Sequence, residues 1–183
     1  MPRRYLTLQA RMTHNVGMFV KLHANQVVRC LHEIDLSELA ARGVRGVLID
    51  MDNTLTPWRS HSISPEIELW IGKLHELGMS ACLVSNAATV KRVRPVADRL
   101  EIPYVTRAAK PLARGFRKGM KLLKTTPETT AMVGDQVFTD IYGANRLGIY
   151  TILVDPMSSK EALITRMLQR PLERLIGRVP AGK

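Results

Sequence analysis

The sequence predicts a single three-layer α/β domain, a parallel sheet covered by helices on both faces. Three observations carry that expectation. Short apolar runs of strand type alternate with longer stretches of helical period, and strands joined through helices run parallel. Three of the runs finish on polar or acidic residues, at Asp50, at Ser85-Asn86 and at Gly134-Asp135. A chain of 183 residues, 45% of them hydrophobic, is long enough to bury one real core.

The strand-type runs are 46–50, 80–85, 130–135 and 150–154, with a weaker one at 103–106. Ser64-Pro65-Glu66 reads as a helix start, with an N-cap, a first-turn proline and a first-turn acid. That helix runs to Leu77 and stops at Gly78. Residues 89–100 place Val93, Val96, Ala97 and Leu100 on one face of a second helix. A third starts near Pro111 and runs to about Lys124, and a short one covers 140–147 before Gly148. No internal repeat or low-complexity stretch divides the chain, so 1–183 reads as one domain. Its flanks are a basic N-terminal helical segment, 1–40, and a basic C-terminal helical segment, 156–183.

Composition excludes several classes. No run of about 18 apolar residues suggests a transmembrane helix, and the first residues lack the apolar block of a secretory signal. They are rich in arginine, with no acid before Glu33, as in a transit peptide, but a helical pattern already begins at Val16. Cys30 and Cys82 are too few for a disulfide framework and lack metal-ligand spacing; Cys82, in an apolar run, reads as core. A reducing, cytoplasmic setting fits. The net charge of +11 biases partners toward polyanions such as nucleic acid, an anionic membrane surface or phosphorylated substrates.

The stretch GVLIDMDNTLTPW poses the chemical question: a buried-looking strand ends on two aspartates, Asp50 and Asp52. Like charges so close make each other harder to ionise, and a cation between them offsets that. In a parallel sheet the C-terminal strand ends share one edge, which gathers Asp50, Asp52, Ser85, Lys110, Asp135 and Asp140. Several carboxylates suit Mg²⁺. A carboxylate such as Asp50 can attack phosphorus and form an aspartyl-phosphate, and Asp52 can protonate the leaving oxygen and then activate water. Ser85 and nearby amides can hold phosphate oxygens, with Lys110 supplying positive charge where the transition state spreads negative charge.

DMDNT (residues 50–54), SN (85–86), KP (110–111) and GDQVFTD (134–140) resemble, in order, the four motifs of the haloacid dehalogenase superfamily of phosphatases. The longer stretches ARGVRGVLIDMDNTLTPW, LVSNAATVKRVRPVADRLEIPYVTRAAKP and MVGDQVFTDIYGANRLGIYTILVDP resemble the YqeG family. That family is a IIIA-type group related to phosphatidylglycerophosphate phosphatases, and the likeness covers about residues 24–176. The resemblance implies a Rossmann-like fold and a role for each residue. Asp50 is then nucleophile and Mg²⁺ ligand, and Asp52 is acid/base with its main-chain carbonyl on the metal. Asp135 is the third protein contact to Mg²⁺, and Asp140 supports the set from behind. Thr54 shapes the loop and joins Ser85, Asn86 and Lys110 at the phosphate. Met51 occupies a position that is usually apolar.

The intervals between the motifs leave no room for a lid. One loop, one helix and one strand fill the chain from Asp50 to Ser85, and one helix with a short strand fills it from there to Lys110. An uncapped site cannot enclose a small metabolite, which favours a phosphate presented on a larger body. The expected activity is dephosphorylation of phosphatidylglycerophosphate to phosphatidylglycerol. The alternatives are a soluble phosphate ester, nucleotide or phosphoprotein as substrate, or a basic RNA- or ribosome-binding module. The last ranks lowest, because no stacking platform or RNA motif is visible. Arg166, Arg170, Arg174 and Arg178 recur at four-residue spacing beside Ile164, Leu168, Leu172, Leu175 and Ile176. This suits either a helix on an anionic inner membrane surface or an apolar side packed on the domain, and Pro171 argues against one unbroken helix. Val16, Val20, Val27, Leu31 and Ile34 form a similar stripe, read as docking on the domain. Trp58 meets either substrate or its own loop, while Trp70 reads as core. The five histidines show no ligand spacing, and the basic KRVRP at 91–95 lies near the site edge, where it can steer an anion.

Overall fold

The computed structural model describes residues 21–157. Six strands form one parallel sheet: β1 Gln26–Val28, β2 Gly46–Ile49, β3 Ser80–Val84, β4 Tyr104–Val105, β5 Thr130–Gly134 and β6 Tyr150–Val154. Their order across the sheet is β1-β6-β5-β2-β3-β4. The helices are α1 Leu36–Ala41, α2 Pro65–Glu76, α3 Val90–Arg99, α4 Ala113–Leu123 and the short α5 Gly143–Asn145. The three-layer expectation holds.

Strand alternation divides the core in two. Val47, Ile49, Ala81, Leu83, Ala131, Val133, Ile152 and Val154 pack on one face with α1, α2 and α3. Leu48, Cys82, Val84 and Met132 point the other way, toward Phe116 and Met120 of α4 and Ala144 of α5. Burial pushes the Cys82 thiol up to about 12, so it stays protonated as a small apolar residue. Helix α2 starts as read, with Ser64 at the N-cap, Pro65 in the first turn and Ile67, Trp70, Ile71 and Leu74 buried. Gly78, at φ +74°, ends it. Trp70 is core, and its indole N–H donates to the Ile34 carbonyl at 3.0 Å.

Two expectations change. Within the basic segment 1–40, the described part is not one continuous helix: a strand and a 3-10 turn precede α1. Gln26–Val28 is an edge strand paired with Ile152–Val154, and Val27 is exposed. Asn25 holds it in register, exchanging hydrogen bonds with Thr151, and Asn145 donates to the Lys21 and His23 carbonyls at 2.7 Å each. A spacing of two valines over three residues does not distinguish the two periods. Leu31 and Ile34 are buried as docking requires, whereas Val16 and Val20 lie outside the described residues. So do Arg166, Arg170, Arg174 and Arg178 with the rest of the C-terminal stripe. The second change concerns the helix expected over 140–147: a π-helical turn, Val137–Tyr142, precedes it and runs directly into α5.

Helix α4 lies close on the sheet because two glycines let it. A Cβ on Gly119 would come within 2.7 Å of Leu48 Cδ2, and one on Gly115 within 2.5 Å of the Ala108 carbonyl oxygen. The second neighbour is backbone and cannot swing aside. Gly115→Ala should therefore lower Tm, although the same change in an exposed helix raises stability. Overpacking costs about 1–3 kcal/mol, which corresponds to several degrees in a thermal melt. An unchanged or raised Tm would show that the helix stands off the sheet.

Candidate active site

The topology locates the site. From the central strand β2 the chain moves outward through β3 to β4, then crosses to β5 on the other side of β2. In such sheets the crevice opens where the order reverses, beyond the carboxyl ends of the strands. Asp50 follows β2 directly and its N–H still donates to the Val133 carbonyl at 2.9 Å. Ser85 follows β3, with its N–H on the Val105 carbonyl at 2.9 Å. Asp135 follows β5, and Asp140 sits in the π-helical turn. All are buried, and so is Lys110, on the loop between β4 and α4.

Lys110 is the centre of this group. Its ammonium lies 2.5 Å from Asp50 Oδ1 and 2.6 Å from Asp140 Oδ1. Burial acts to lower its pKa, but the Asp140 and Asp50 carboxylates outweigh that and hold it above the usual lysine range. Asn86 places Lys110: its side-chain amide donates to the Lys110 carbonyl at 3.1 Å and its oxygen accepts from the Lys110 N–H at 2.8 Å. The sequence reading put Asn86 at the phosphate. Asn86 lines the cleft, and its side chain also holds the Lys110 backbone, a pairing that leaves no trace in residue spacing. Asp140 Oδ2 accepts from the Gln136 N–H at 3.2 Å. The same carboxylate packs against Gly134, where a Cβ would meet Oδ2 at 2.3 Å. A glycine before Asp135 is thus a space requirement.

The loop after β2 is hydrogen-bonded and folded back on itself. Leu55 and Thr56 N–H groups donate to the Met51 carbonyl at 3.0 Å each, and the Asn53 N–H to the Thr56 carbonyl at 2.7 Å. Asn53 takes the left-handed region at φ 62°, which asparagine tolerates better than most residues. The Thr54 hydroxyl donates to Asp135 Oδ1 at 3.2 Å, tying the loop to the end of β5. The Ser85 Oγ accepts from the Ala87 N–H at 3.0 Å and so faces the turn that follows β3.

Asp52 stands apart from the Lys110 cluster. Burial raises its pKa, the Arg92 guanidinium acts to lower it, and the Asp50 charge raises it again, with a net rise. Arg92, from α3, hydrogen-bonds and ion-pairs to Asp52 Oδ1. Its guanidinium also lies over the Trp58 ring, 5.2 Å from the centroid, inside the reach of about 6 Å for a cation–π contact. Sequence reading gave 91–95 a general steering role and left Trp58 undecided; the structure joins Arg92 and Trp58 to the acid itself. Together with Asp50, Lys110 and Arg59 they line a cleft of about 360 Å³.

The donors suit a divalent cation. Carboxylate oxygens of Asp50, Asp135 and Asp140 lie within 4.8 Å of one another, and oxygen donors are what hard cations take. Asp140 is the least available, since Lys110 and the Gln136 N–H occupy its two oxygens. Asp50 and Asp135 are the better pair. Burial, with the Asp50 and Asp140 charges, pushes Asp135 up to about 8, which is the repulsion a cation would relieve.

Comparison with known proteins agrees. A haloacid dehalogenase-like hydrolase family model matches residues 58–148. The "Probable phosphatase YqeG" of Bacillus subtilis (strain 168) is 34% identical over 152 residues, 83% of this chain and 87% of that protein. The chain belongs to the haloacid dehalogenase-like hydrolases. Within them it is a phosphatase of the YqeG family. "Phosphatidylglycerophosphate phosphatase 1, chloroplastic/mitochondrial" of Arabidopsis thaliana is 30% identical over 161 residues, 83% of this chain but only 46% of that protein's length. Among solved structures, an uncharacterized protein from Listeria monocytogenes serotype 4b shares the fold of this phosphatase. It has a TM-score of 0.52 at 17% identity and covers 72% of this chain and 99% of that one.

The cation fit has a pH signature. In the metal-free phosphatase, folded Asp135 keeps its proton up to about 8, whereas the unfolded chain loses it near 3.8. Its contribution to stability is present below the lower value and declines as pH rises across that window. A cation that binds the folded, ionised form reverses the decline. The Tm gain on adding Mg²⁺ should therefore grow as pH rises toward about 8. A gain that is flat with pH, or absent, would show that these carboxylates are not cation ligands.

Proposed function

We propose that this phosphatase is Mg²⁺-dependent, works through an aspartyl-phosphate on Asp50, and dephosphorylates phosphatidylglycerophosphate to phosphatidylglycerol. The observation that carries the mechanism is the Asp50 carboxylate, fixed at the end of the central strand by the buried Lys110 ammonium at 2.5 Å. Lys110 holds Oδ1, so the other oxygen is left to attack phosphorus in line. As the Asp50 O–P bond forms, the ester P–O bond breaks, and the leaving alkoxide takes a proton from Asp52. Burial, which raises Asp52, favours the protonated form that this step needs. Water then attacks the phosphorus, Asp52 takes its proton, and the Asp50 O–P bond breaks to release phosphate, restoring the Asp50 carboxylate and the protonated Asp52.

The ammonium of Lys110 offsets the negative charge that collects when a carboxylate meets a phosphate. Ser85, with the amides of the turn after β3, suits the phosphoryl oxygens. Asn86 and Asp140 hold Lys110 in place, and Thr54 holds Asp135. The metal would sit on the carboxylates of Asp50 and Asp135 and the main-chain carbonyl of Asp52, where it supplies Lewis-acid charge to the phosphoryl oxygens. Arg92 keeps the Asp52 carboxyl turned toward the cleft.

Two features support the lipid substrate. The plant relative carries that activity in its name. Between Asp50 and Lys110 the fold contains only α2, β3, α3, β4 and the loops that join them, so among the described residues no lid domain covers a cleft rimmed by the exposed Trp58 and Arg59. A headgroup projecting from a bilayer can enter such a cleft without being enclosed.

The test is turnover of phosphatidylglycerophosphate in mixed micelles beside p-nitrophenyl phosphate, with wild type and Asp50→Asn. Wild type should hydrolyse both, with preference for the lipid, and lose activity in EDTA until Mg²⁺ is restored. Asp50→Asn should lose at least about a thousandfold, because an amide cannot attack phosphorus, while keeping its circular dichroism. Substantial residual turnover would remove the covalent role of Asp50, and preference for the soluble ester would remove the lipid.

A further inference from the structure

Between Glu101 and Glu128 the sequence has no acid, yet it holds seven cations. Lys110 is buried in the active site. The other six, Arg107, Arg114, Arg117, Lys118, Lys121 and Lys124, are all exposed. Four of them sit on α4, whose inner side buries Gly115, Phe116, Gly119 and Met120 against the sheet. Every charge on the outer side is therefore positive. At its two ends stand exposed leucines, Leu112 at 59% and Leu122 at 51%, too exposed to be serving the core.

Several cations on or beside the other helices are paired. Arg42 pairs with Glu38 on α1, Arg94 with Asp98 on α3, and Arg99 reaches across to Glu68 on α2. Among the described residues no cation of α4 has an ion pair. Crowding like charges on one face is unfavourable in the free protein, and an external anion relieves it. Arg114 and Lys118, one turn apart, also join Arg107 around a cavity of about 350 Å³, room for a phosphate-sized group. This cavity borders the loop that carries Lys110, so the basic face begins at the sheet edge where the active-site cleft opens.

We propose that the outer face of α4, with Arg107, docks this phosphatase on an anionic bilayer, the cavity between Arg107, Arg114 and Lys118 taking a lipid headgroup phosphate other than the substrate's. The exposed leucines decide for a bilayer over nucleic acid. Apolar residues beside cations enter the boundary between headgroups and acyl chains, whereas single-stranded nucleic acid wants aromatic stacking partners, and α4 exposes none. The proposal deepens the lipid reading and rests on it for the substrate, giving it a docking surface outside the catalytic cleft.

The experiment compares the full chain with a triple variant, Arg114→Gln, Lys118→Gln and Lys121→Gln. Both are sedimented with vesicles of phosphatidylglycerol in phosphatidylcholine, and with phosphatidylcholine alone. At low salt the triple variant should bind the anionic vesicles weaker by on the order of a hundredfold, with little binding of either protein to the neutral ones. Turnover of p-nitrophenyl phosphate and Tm should match wild type, because these residues lie outside the cleft and project from the helix. Leu112→Ser with Leu122→Ser, charges intact, should also weaken vesicle binding. Equal sedimentation of wild type and triple variant would overturn the proposal. So would loss of binding to an RNA oligonucleotide with vesicle binding intact, or displacement from vesicles by inorganic phosphate at unchanged ionic strength, which would mark a free-anion site. Failure of the docking surface and failure of the substrate reading remain separable: vesicle binding without lipid turnover removes the substrate, and lipid turnover with unchanged vesicle binding in the variant removes the surface.

Discussion

The Lys110 ammonium lies between two buried carboxylates, 2.5 Å from Asp50 and 2.6 Å from Asp140, and the rest of the site is arranged to keep it there. A buried cation is costly alone and tolerable between two anions, and removing one partner leaves an uncompensated charge. The backbone of Lys110 is pinned from both sides by the Asn86 amide. Asp140 is pinned by the Gln136 N–H and by the bare α-carbon of Gly134. One charge arrangement therefore draws together four segments that are remote in sequence. The Asp50 carboxylate has little freedom left, and in its proposed role as nucleophile it would have lost its orientational entropy before the substrate arrives.

The sheet makes the arrangement possible. Placing β2 at the centre, with β3 on one side and β5 on the other, brings Asp50, Ser85 and Asp135 to one edge through backbone register alone. The connections between them are short helices and loops, so among the described residues nothing encloses the cleft. That openness and the basic exterior of α4 fit the proposed lipid substrate, which a bilayer would hold while the cleft receives only its headgroup.

Much of this was legible in the sequence. Asp50, Ser85 and Asp135 each end an apolar run of strand type, and Lys110 and Asp140 stand beside helix-start signals, so a parallel sheet gathers them without further information. Arg92 was only half legible. Its pattern on α3 says exposed, and its partner Asp52 is 40 residues away, so nothing local announces the pair. The duty of Asn86 was hidden for a related reason, since its bonds go to backbone, which has no residue identity to read. Strand β1 was missed because three residues at a sheet edge, one of them exposed, fit a helical stripe as well as an alternation. The π-helical turn was missed because its cause is tertiary: Asp140 has to reach back to Lys110 and Gly134, and the wider turn delivers it there.

The covalent step at Asp50 is the centre of the proposed mechanism, and the stereochemical course at phosphorus reads that step directly. A phosphate ester made chiral at phosphorus with oxygen isotopes, turned over by wild-type protein in labelled water, reports how many in-line displacements occurred. Attack by Asp50 followed by attack of water on the aspartyl-phosphate predicts net retention of configuration. Net inversion would mean that water attacks the substrate directly, and would contradict the role assigned to Asp50.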